Sequence, residues 1–203
     1  RDRGTGKVFT VLFDIAAGEN GRRVREYRFE DTPVGNSGVS QNGGWFCAIN
    51  YARLARLRPV TGYPGASDWT EGVLHPEDDG VFKVNTRTGA KQLLVSFKRL
   101  AEVLRESRPD VDRRALFINH TLWNRQGDRI FFFVRADFAD TANRINASFV
   151  IRPDGTGLMP MKQHIGGHPE WDEGHRMLGS VGGKQTIFDI DRQDVVGAIG
   201  TPE

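Results

Sequence analysis

The chain has 203 residues, of which 38% are hydrophobic and 27% charged, a balance typical of a globular protein. Lysine and arginine exceed aspartate and glutamate by 28 to 26, and no dense basic stripe interleaved with aromatic residues occurs, which argues against nucleic-acid binding. No apolar run approaches the roughly 20 residues of a membrane-spanning helix. The single cysteine, Cys47, excludes an internal disulfide, and its apolar surroundings "GWFCAIN" predict a buried side chain.

The chain begins with the charged segment "RDRGTGK", without an initiating methionine, and a strand follows at once. We therefore expect the chain to be a piece of a longer protein. Its compartment, cytoplasmic or periplasmic, stays open.

One repeated pattern along the chain is a strand, a polar turn and a second strand. It occurs in residues 7–29, 81–95 and 147–161, and more weakly in 185–199. Gly- and Asp-containing turns between runs rich in Val, Ile, Leu and Phe are typical of β-hairpins. We therefore predict four hairpins of this kind.

A second unit alternates with these hairpins. Residues 119–137 and 167–183 each contain a histidine, a tryptophan three positions later, a polar turn with glycine, and a second strand. His120 and His168 are 48 residues apart. Residues 37–50 have the same outline but lack the histidine and the tryptophan at the corresponding positions.

Two hairpins per repeat make four strands, and a repeat of about 40–50 residues is typical of a β-propeller blade. The sequence therefore predicts an all-β fold, with residues 1–203 as a single, incomplete β-propeller domain. We expect about four four-stranded blades, present or partly present, from a propeller of six to eight blades. A β-sandwich, which also has short strands, is the alternative.

Two segments interrupt the repeats. Residues 96–107 place apolar side chains at helical spacing between Ser96, a suitable N-cap, and Pro109, which predicts one short inserted helix. Residues 55–80 form a long insertion rich in Gly and Pro, and such insertions in propellers tend to build sites on one face.

Three arginines stand at or just before this insertion, Arg53, Arg56 and Arg58. Guanidinium groups bind carboxylates in bidentate fashion, so these side chains are candidates for binding an acidic substrate at the channel mouth. Alternatively, they are solvated or pair with the acidic residues 77–79.

The segments "HTLWNRQGDRIFFF", "SFVIRPDGTGLMPM" and "HPEWDEGHRMLGS" resemble the repeat of the propeller domain of the bacterial Tol translocation protein. The resemblance covers most of residues 117–199 and, less clearly, 8–95. "NRQGDR" departs from that repeat at Arg125 and Gln126, where Pro and Asp are usual. The resemblance implies a fold and is almost silent on function, since such propellers serve as scaffolds, peptidase domains and enzymes.

A narrower resemblance is to oligogalacturonate lyase, a propeller enzyme that cleaves pectic fragments with a metal ion held by histidine and glutamine. "INH", ending at His120, and "GGHPEW", containing His168, match two histidine segments of that family, and Gln163 stands for the glutamine. The resemblance implies a divalent metal, Mn²⁺ above all for a mixed His/Gln/carboxylate set. It also implies β-elimination from a uronate, for which the sequence offers no identifiable base.

Because innermost strands of adjacent blades lie side by side, His120 and His168 are expected to converge, although each could simply hydrogen-bond a neighbouring blade. His164 could reach the same ion only through a folded-back loop, while His75 and His175 are interpreted as solvated turn residues. Two functions stay open. One is a metal-dependent enzyme on acidic oligosaccharide, and the other is a non-catalytic propeller whose loop face binds a protein or glycan.

Overall fold

Antiparallel β-strands make up most of the regular secondary structure of the chain. The computed structural model describes residues 1–200, so the last three residues of the predicted 1–203 domain lie outside the described residues. The strands are β1 (Thr10–Asp14), β2 (Arg22–Tyr27), β3 (Gly35–Val39), β4 (Trp45–Ile49), β5 (Gly80–Asn85), β6 (Lys91–Ser96), β7 (Phe117–Trp123), β8 (Ile130–Ala136), β9 (Ile145–Ile151), β10 (Met159–Pro160), β11 (Gly166–Trp171), β12 (Arg176–Val181), β13 (Lys184–Asp189) and β14 (Asp194–Ala198).

These strands form three four-stranded sheets and one hairpin, β1–β2. We name the sheets blade 1 (β3–β6), blade 2 (β7–β10) and blade 3 (β11–β14). Within each blade every strand pairs with the strand that follows it in the chain. This pairing order confirms every predicted hairpin. The physical reason is that a short polar turn leaves each strand next to its successor.

The blades are arranged as in a propeller. The first strand of blade 2, β7, lies against the first strands of blades 1 and 3, β3 and β11. In a sandwich whole sheets would face one another in two layers, whereas here one edge strand of each sheet meets its counterparts. The predicted partial propeller is confirmed, as three complete blades with the β1–β2 hairpin beside blade 1.

Alternation along the strands explains why the blades stack. In β8, Phe132 and Val134 join one apolar cluster with blade 1 and the helices, while Phe131 and Phe133 join another with blade 3. Successive side chains of a strand point to opposite faces, so a blade buries both faces only between neighbours. A third cluster lies between blade 1 and the β1–β2 hairpin.

Gly38 permits the close approach of β3 to β7. A Cβ atom at this position would lie 1.9 Å from the carbonyl oxygen of Thr121. Any larger residue would therefore push the innermost strands of blades 1 and 2 apart.

Two α-helices stand beside the sheets, where the sequence predicted one. The predicted helix is α2 (Phe97–Leu104), and the side chain of Ser96 accepts the Arg99 amide as its N-cap. The helix missed by the sequence analysis is α1 (Tyr51–Leu57), capped in the same way by Asn50. Neither α-helix in the described part of the chain has the length and apolar character of a membrane-spanning segment.

Candidate functional site

His120 and His168 occupy corresponding bulges in the innermost strands of blades 2 and 3. The pairing of β7 with β8 shifts register between Asn119 and Leu122, and that of β11 with β12 shifts between Gly166 and Glu170. Both histidines have a left-handed backbone with φ of 56°. Bulges often re-aim side chains near functional sites, and here both imidazoles turn toward the boundary between the two blades.

The two imidazole rings are close neighbours. Their centroids are 5.9 Å apart, and their planes are nearly perpendicular at 87°. Neither ring forms a hydrogen bond with another side chain or backbone group in residues 1–200. The alternative that each histidine hydrogen-bonds a neighbouring blade is therefore not what the structure contains.

The histidine pair borders a pocket of about 370 Å³ between blades 2 and 3. Three arginines also line it, Arg58, Arg135 and Arg144, against one carboxylate, Glu170. We call this space the cationic pocket. Such an excess of positive charge attracts and orients anionic ligands.

Arg135 forms the floor of the cationic pocket. It is buried in β8, where its Nε donates to Asn146 Oδ1 at 2.7 Å and one Nη to Asn119 Oδ1 at 2.9 Å. Burial, reinforced by the charges of Arg58 and Arg144, lowers the pKa of Arg135 to about 10. Arg135 is therefore held rigidly and remains charged at neutral pH, with donors to spare.

A loop between β8 and β9 brings Phe138 and Arg144 to the pocket. Two arginines near the short 3-10 helix (Pro109–Arg113) hold this loop in place. Arg108 donates to the carbonyl oxygen of Arg144 at 3.0 Å, and Arg114 pairs with Asp137 at 2.6 Å. The position of the loop therefore depends on a segment about 30 residues earlier in the chain.

The three arginines of the pocket gather around one aromatic ring. The guanidinium carbons of Arg58, Arg135 and Arg144 lie 4.3, 4.6 and 4.9 Å from the centroid of Phe138. Within residues 1–200, none of the three has a carboxylate within ion-pair distance. Cation–π contacts offset only part of the mutual repulsion of these charges, so an added anion would be stabilised here.

The other two arginines predicted to bind substrate have different roles, since helix α1 turns them away from the pocket. Arg53 is fully buried, and its guanidinium donates to Leu116, Thr70, Val73 and Leu74, so it cannot reach a ligand. Its place in the core is a correction to the prediction from sequence. Arg56 lies on another surface, where it pairs with Asp68 at 2.9 Å, and does not line the cationic pocket either.

Gln163, predicted as a metal ligand, is exposed and does not line the pocket. Its neighbour His164 does line it. The His164 ring packs 5.6 Å from Phe133, and its Nε2 lies 3.2 Å from the amide nitrogen of Asn146. The structure thus puts His164, rather than Gln163, beside the histidine pair.

Two of the pocket histidines are biased toward the neutral form. Burial, with Arg135 next, lowers the pKa of both His120 and His164. The charge of His168 contributes further to the shift at His120. A neutral imidazole can ligate a metal or accept a proton, so the lowered pKa values of His120 and His164 favour the form that either role needs.

His75 and His175 lie in turn segments, as interpreted from sequence, but both are only partly exposed and both have hydrogen-bond partners. His175 bridges two blades, with Nδ1 2.6 Å from Asp191 and Nε2 3.0 Å from Asp128. His75 contacts the Arg114 carbonyl oxygen at 2.9 Å. Each turn packs against another part of the chain, which sequence spacing alone does not reveal.

Three pocket residues were not predicted from the sequence, and only one of them stands out in it. Arg135 is the single charged residue within the apolar strand "IFFFVRA", and a charge in such a run usually has a specific role. Phe138 and Arg144 lie in a polar loop that gave no such signal.

Comparison with solved structures gives two similar folds. A protein of Agrobacterium tumefaciens described as TolB has 12% identity and a TM-score of 0.47, over 87% of this chain and 51% of that one. The tricorn protease has 14% identity and a TM-score of 0.35, over 95% of this chain and 20% of that one. The chain therefore spans about half of the first protein and a fifth of the second. No protein-family model and no curated protein sequence matches the chain.

Proposed function

We propose that this chain forms part of a β-propeller that binds an acidic oligosaccharide in the cationic pocket. The observation that carries the proposal is the group of three guanidinium groups around Phe138 without carboxylate partners in the described residues. Ligand carboxylates would take the place of those partners, since guanidinium–carboxylate pairs are strong and directional.

The shape of the pocket supports a sugar ring as well as a charge. Phe133 and Leu122 offer apolar surface, while Asn146 and the neutral histidines offer hydrogen-bonding atoms. In small-molecule sites, apolar surface packs against the ligand and placed polar groups fix its orientation, and this pocket offers both. Its volume of about 370 Å³ suits one or two sugar residues of a longer chain.

Calorimetric titration of the chain with trigalacturonic acid tests this function, with maltotriose as the neutral ligand of equal length. Arg58→Gln and Arg144→Gln should each weaken binding about tenfold, the effect of one charge-assisted contact. Arg56→Gln is the matched control, because it removes an arginine of the same segment outside the pocket. Equal binding of maltotriose, or an equal loss in Arg56→Gln, would contradict the proposal.

A second candidate, a metal-dependent lyase, is favoured by the geometry of His120 and His168. An imidazole holds a divalent ion about 2.1 Å from its nitrogen, so two ring centroids on one ion lie at most about 6.5 Å apart. The observed 5.9 Å fits within that limit. Among the described residues, however, no group of three or more His, Cys, Asp or Glu side chains is arranged for a metal.

On this second candidate, His120 and His168 would supply two ligands for Mn²⁺, and a ligand carboxylate and water the others. The metal would polarise the uronate carboxylate and so acidify the proton on the neighbouring carbon. Arg135 and Arg144 would hold that carboxylate in place.

Metal content and product formation test the lyase reaction together. We expect about one equivalent of Mn²⁺ bound in the presence of trigalacturonic acid, and ultraviolet absorbance from an unsaturated product. His168→Ala should lose both, while His75→Ala, outside the pocket, should keep both. Binding of the sugar without metal and without product would leave the binding function and remove the lyase.

A further inference from the structure

The boundary between blades 2 and 3 is closed at the end where the turns lie. Asp128, in the β7–β8 turn, contacts His175 of the β11–β12 turn at 3.0 Å. Beside it, the side-chain Nδ2 of Asn124 donates to the Gly174 carbonyl oxygen at 3.4 Å. These contacts join the two turns across the boundary.

At the corresponding end of the boundary between blades 1 and 2, no hydrogen bond within residues 1–200 joins the β3–β4 turn to the β7–β8 turn. The two turns are closed in the same way: the backbone N–H of Ser40 donates to the Trp45 carbonyl oxygen, and that of Asn124 donates to the Arg129 carbonyl oxygen. Gly44, four residues after Ser40, therefore corresponds to Asp128, four residues after Asn124. Glycine has no carboxylate to reach the next turn. A space of about 520 Å³ remains between the blades, which we call the interblade groove.

The strand residues beside the groove also differ from those that fill the closed boundary. In blade 2, Val150 pairs with Phe131, and both belong to the apolar cluster between blades 2 and 3. Lys83 and Cys47 form the corresponding pair in blade 1. A cation and a small side chain thus replace two apolar side chains that fill the other boundary.

The groove is lined by groups suited to a sugar with an acidic substituent. Trp45 and Trp123 provide indole surface, and the turn residue Gln41 provides an amide. The Lys83 ammonium group lies 4.6 Å from the Trp45 ring centroid and donates to the carbonyl oxygen of Pro153, on the blade 2 side of the groove. Across residues 1–200, neither Lys83 nor Arg125 has a carboxylate within ion-pair distance.

We propose that the interblade groove is a second ligand site, which binds an acidic sugar residue. The apolar face of the pyranose ring packs on an indole, and its carboxylate lies between Lys83 and Arg125. The choice of a sugar rests on the proposed function, whereas the site itself is built from other residues at another boundary. The cationic pocket and the groove can therefore be disabled separately.

Tryptophan fluorescence separates the two sites, because Trp45 and Trp123 line the groove and no tryptophan lines the cationic pocket. Titration of the full chain with trigalacturonic acid should change the emission saturably, and maltotriose should bind much more weakly. Lys83→Met and Arg125→Gln should each weaken the fluorescence-detected binding about tenfold, the size of one lost charge-assisted contact.

The cationic-pocket variant Arg144→Gln is the matched control and should leave the fluorescence titration unchanged. If both Lys83→Met and Arg125→Gln titrate like the unmodified chain, or if maltotriose binds equally well, the groove proposal is overturned. If Arg144→Gln alone abolishes the response, the signal comes from the cationic pocket and the groove is again excluded. Weakening of one of two calorimetric binding events in Arg144→Gln, with the fluorescence response intact, would support both sites.

Discussion

Three arginines within six positions have three different roles, and their substitution should separate these roles. Arg53→Met keeps much of the side-chain volume and its packing on Phe97, whose ring centroid lies 4.7 Å from the guanidinium carbon. It removes the charge and all the donors. The same change at Arg56 removes an arginine that lies on the protein surface.

The cost at Arg53 follows from the acceptors it leaves behind. Its Nε donates to the Leu116 carbonyl oxygen at 2.6 Å, and one Nη donates to the Thr70 hydroxyl at 3.0 Å. The same Nη also donates to the Val73 carbonyl oxygen, and the other Nη donates to the Leu74 carbonyl oxygen. An orphaned buried acceptor costs about 1–3 kcal/mol.

Removing the guanidinium also removes the cost of keeping a charge away from water. This gain offsets part of the cost of the orphaned acceptors. Burial is the main cause of the lowered pKa of Arg53, so the charge itself is costly to keep in the core. Breaking a buried charged network by removing one member typically costs about 3–5 kcal/mol. We expect Arg53→Met to lower the free energy of unfolding by that amount. Arg56→Met should lower it less, by about 1–2 kcal/mol, because its largely buried partner Asp68 keeps the hydrogen bonds from Asn50 and Thr70.

Urea unfolding followed by circular dichroism measures both variants. Arg53→Met should have a lower midpoint at an unchanged slope, and while still folded it should bind trigalacturonic acid as the unmodified chain does. If Arg53→Met is as stable as Arg56→Met, the buried network does not hold the 55–80 insertion. If it folds normally but loses the sugar, the assignment of Arg53 to the core is refuted.

Three further predictions concern blade packing, pH and salt. Gly38→Ala should lower the free energy of unfolding by about 1–3 kcal/mol, because its Cβ would meet a β7 carbonyl oxygen, and urea unfolding should show little change for exposed Gly4→Ala. Hydrogen bonding to Asp191 raises the pKa of His175, so its stabilisation is complete below the unfolded pKa of about 6.5 and is lost as pH rises through the higher folded value. The deficit of His175→Gln in urea midpoint should therefore shrink as pH rises, and a constant deficit would contradict the bridge to Asp191. Calorimetry at increasing NaCl should show weaker binding of trigalacturonic acid, since salt screens exposed charges, and an affinity independent of salt would exclude the arginines as its main determinant.

The sequence by itself determined the strands, their hairpins and the correspondence of His120 with His168. Antiparallel neighbours in this fold are also neighbours in the chain, so short polar turns and a repeated pattern suffice to specify them. The proximity of the two histidines follows from the same repeat, because corresponding positions of adjacent blades meet at the inner strands.

Only the tertiary structure decided which other side chains surround the histidines. Helix α1 directs Arg53 into the core and leaves Arg58 at the pocket. The buried position of Arg53 depends on carbonyl groups of Leu116, just before β7, and of the insertion. The loop with Phe138 and Arg144 is positioned by Arg108, which lies 36 residues before Arg144. Contacts of this kind join segments that are far apart in the chain and follow no repeat, so the local sequence pattern does not predict them.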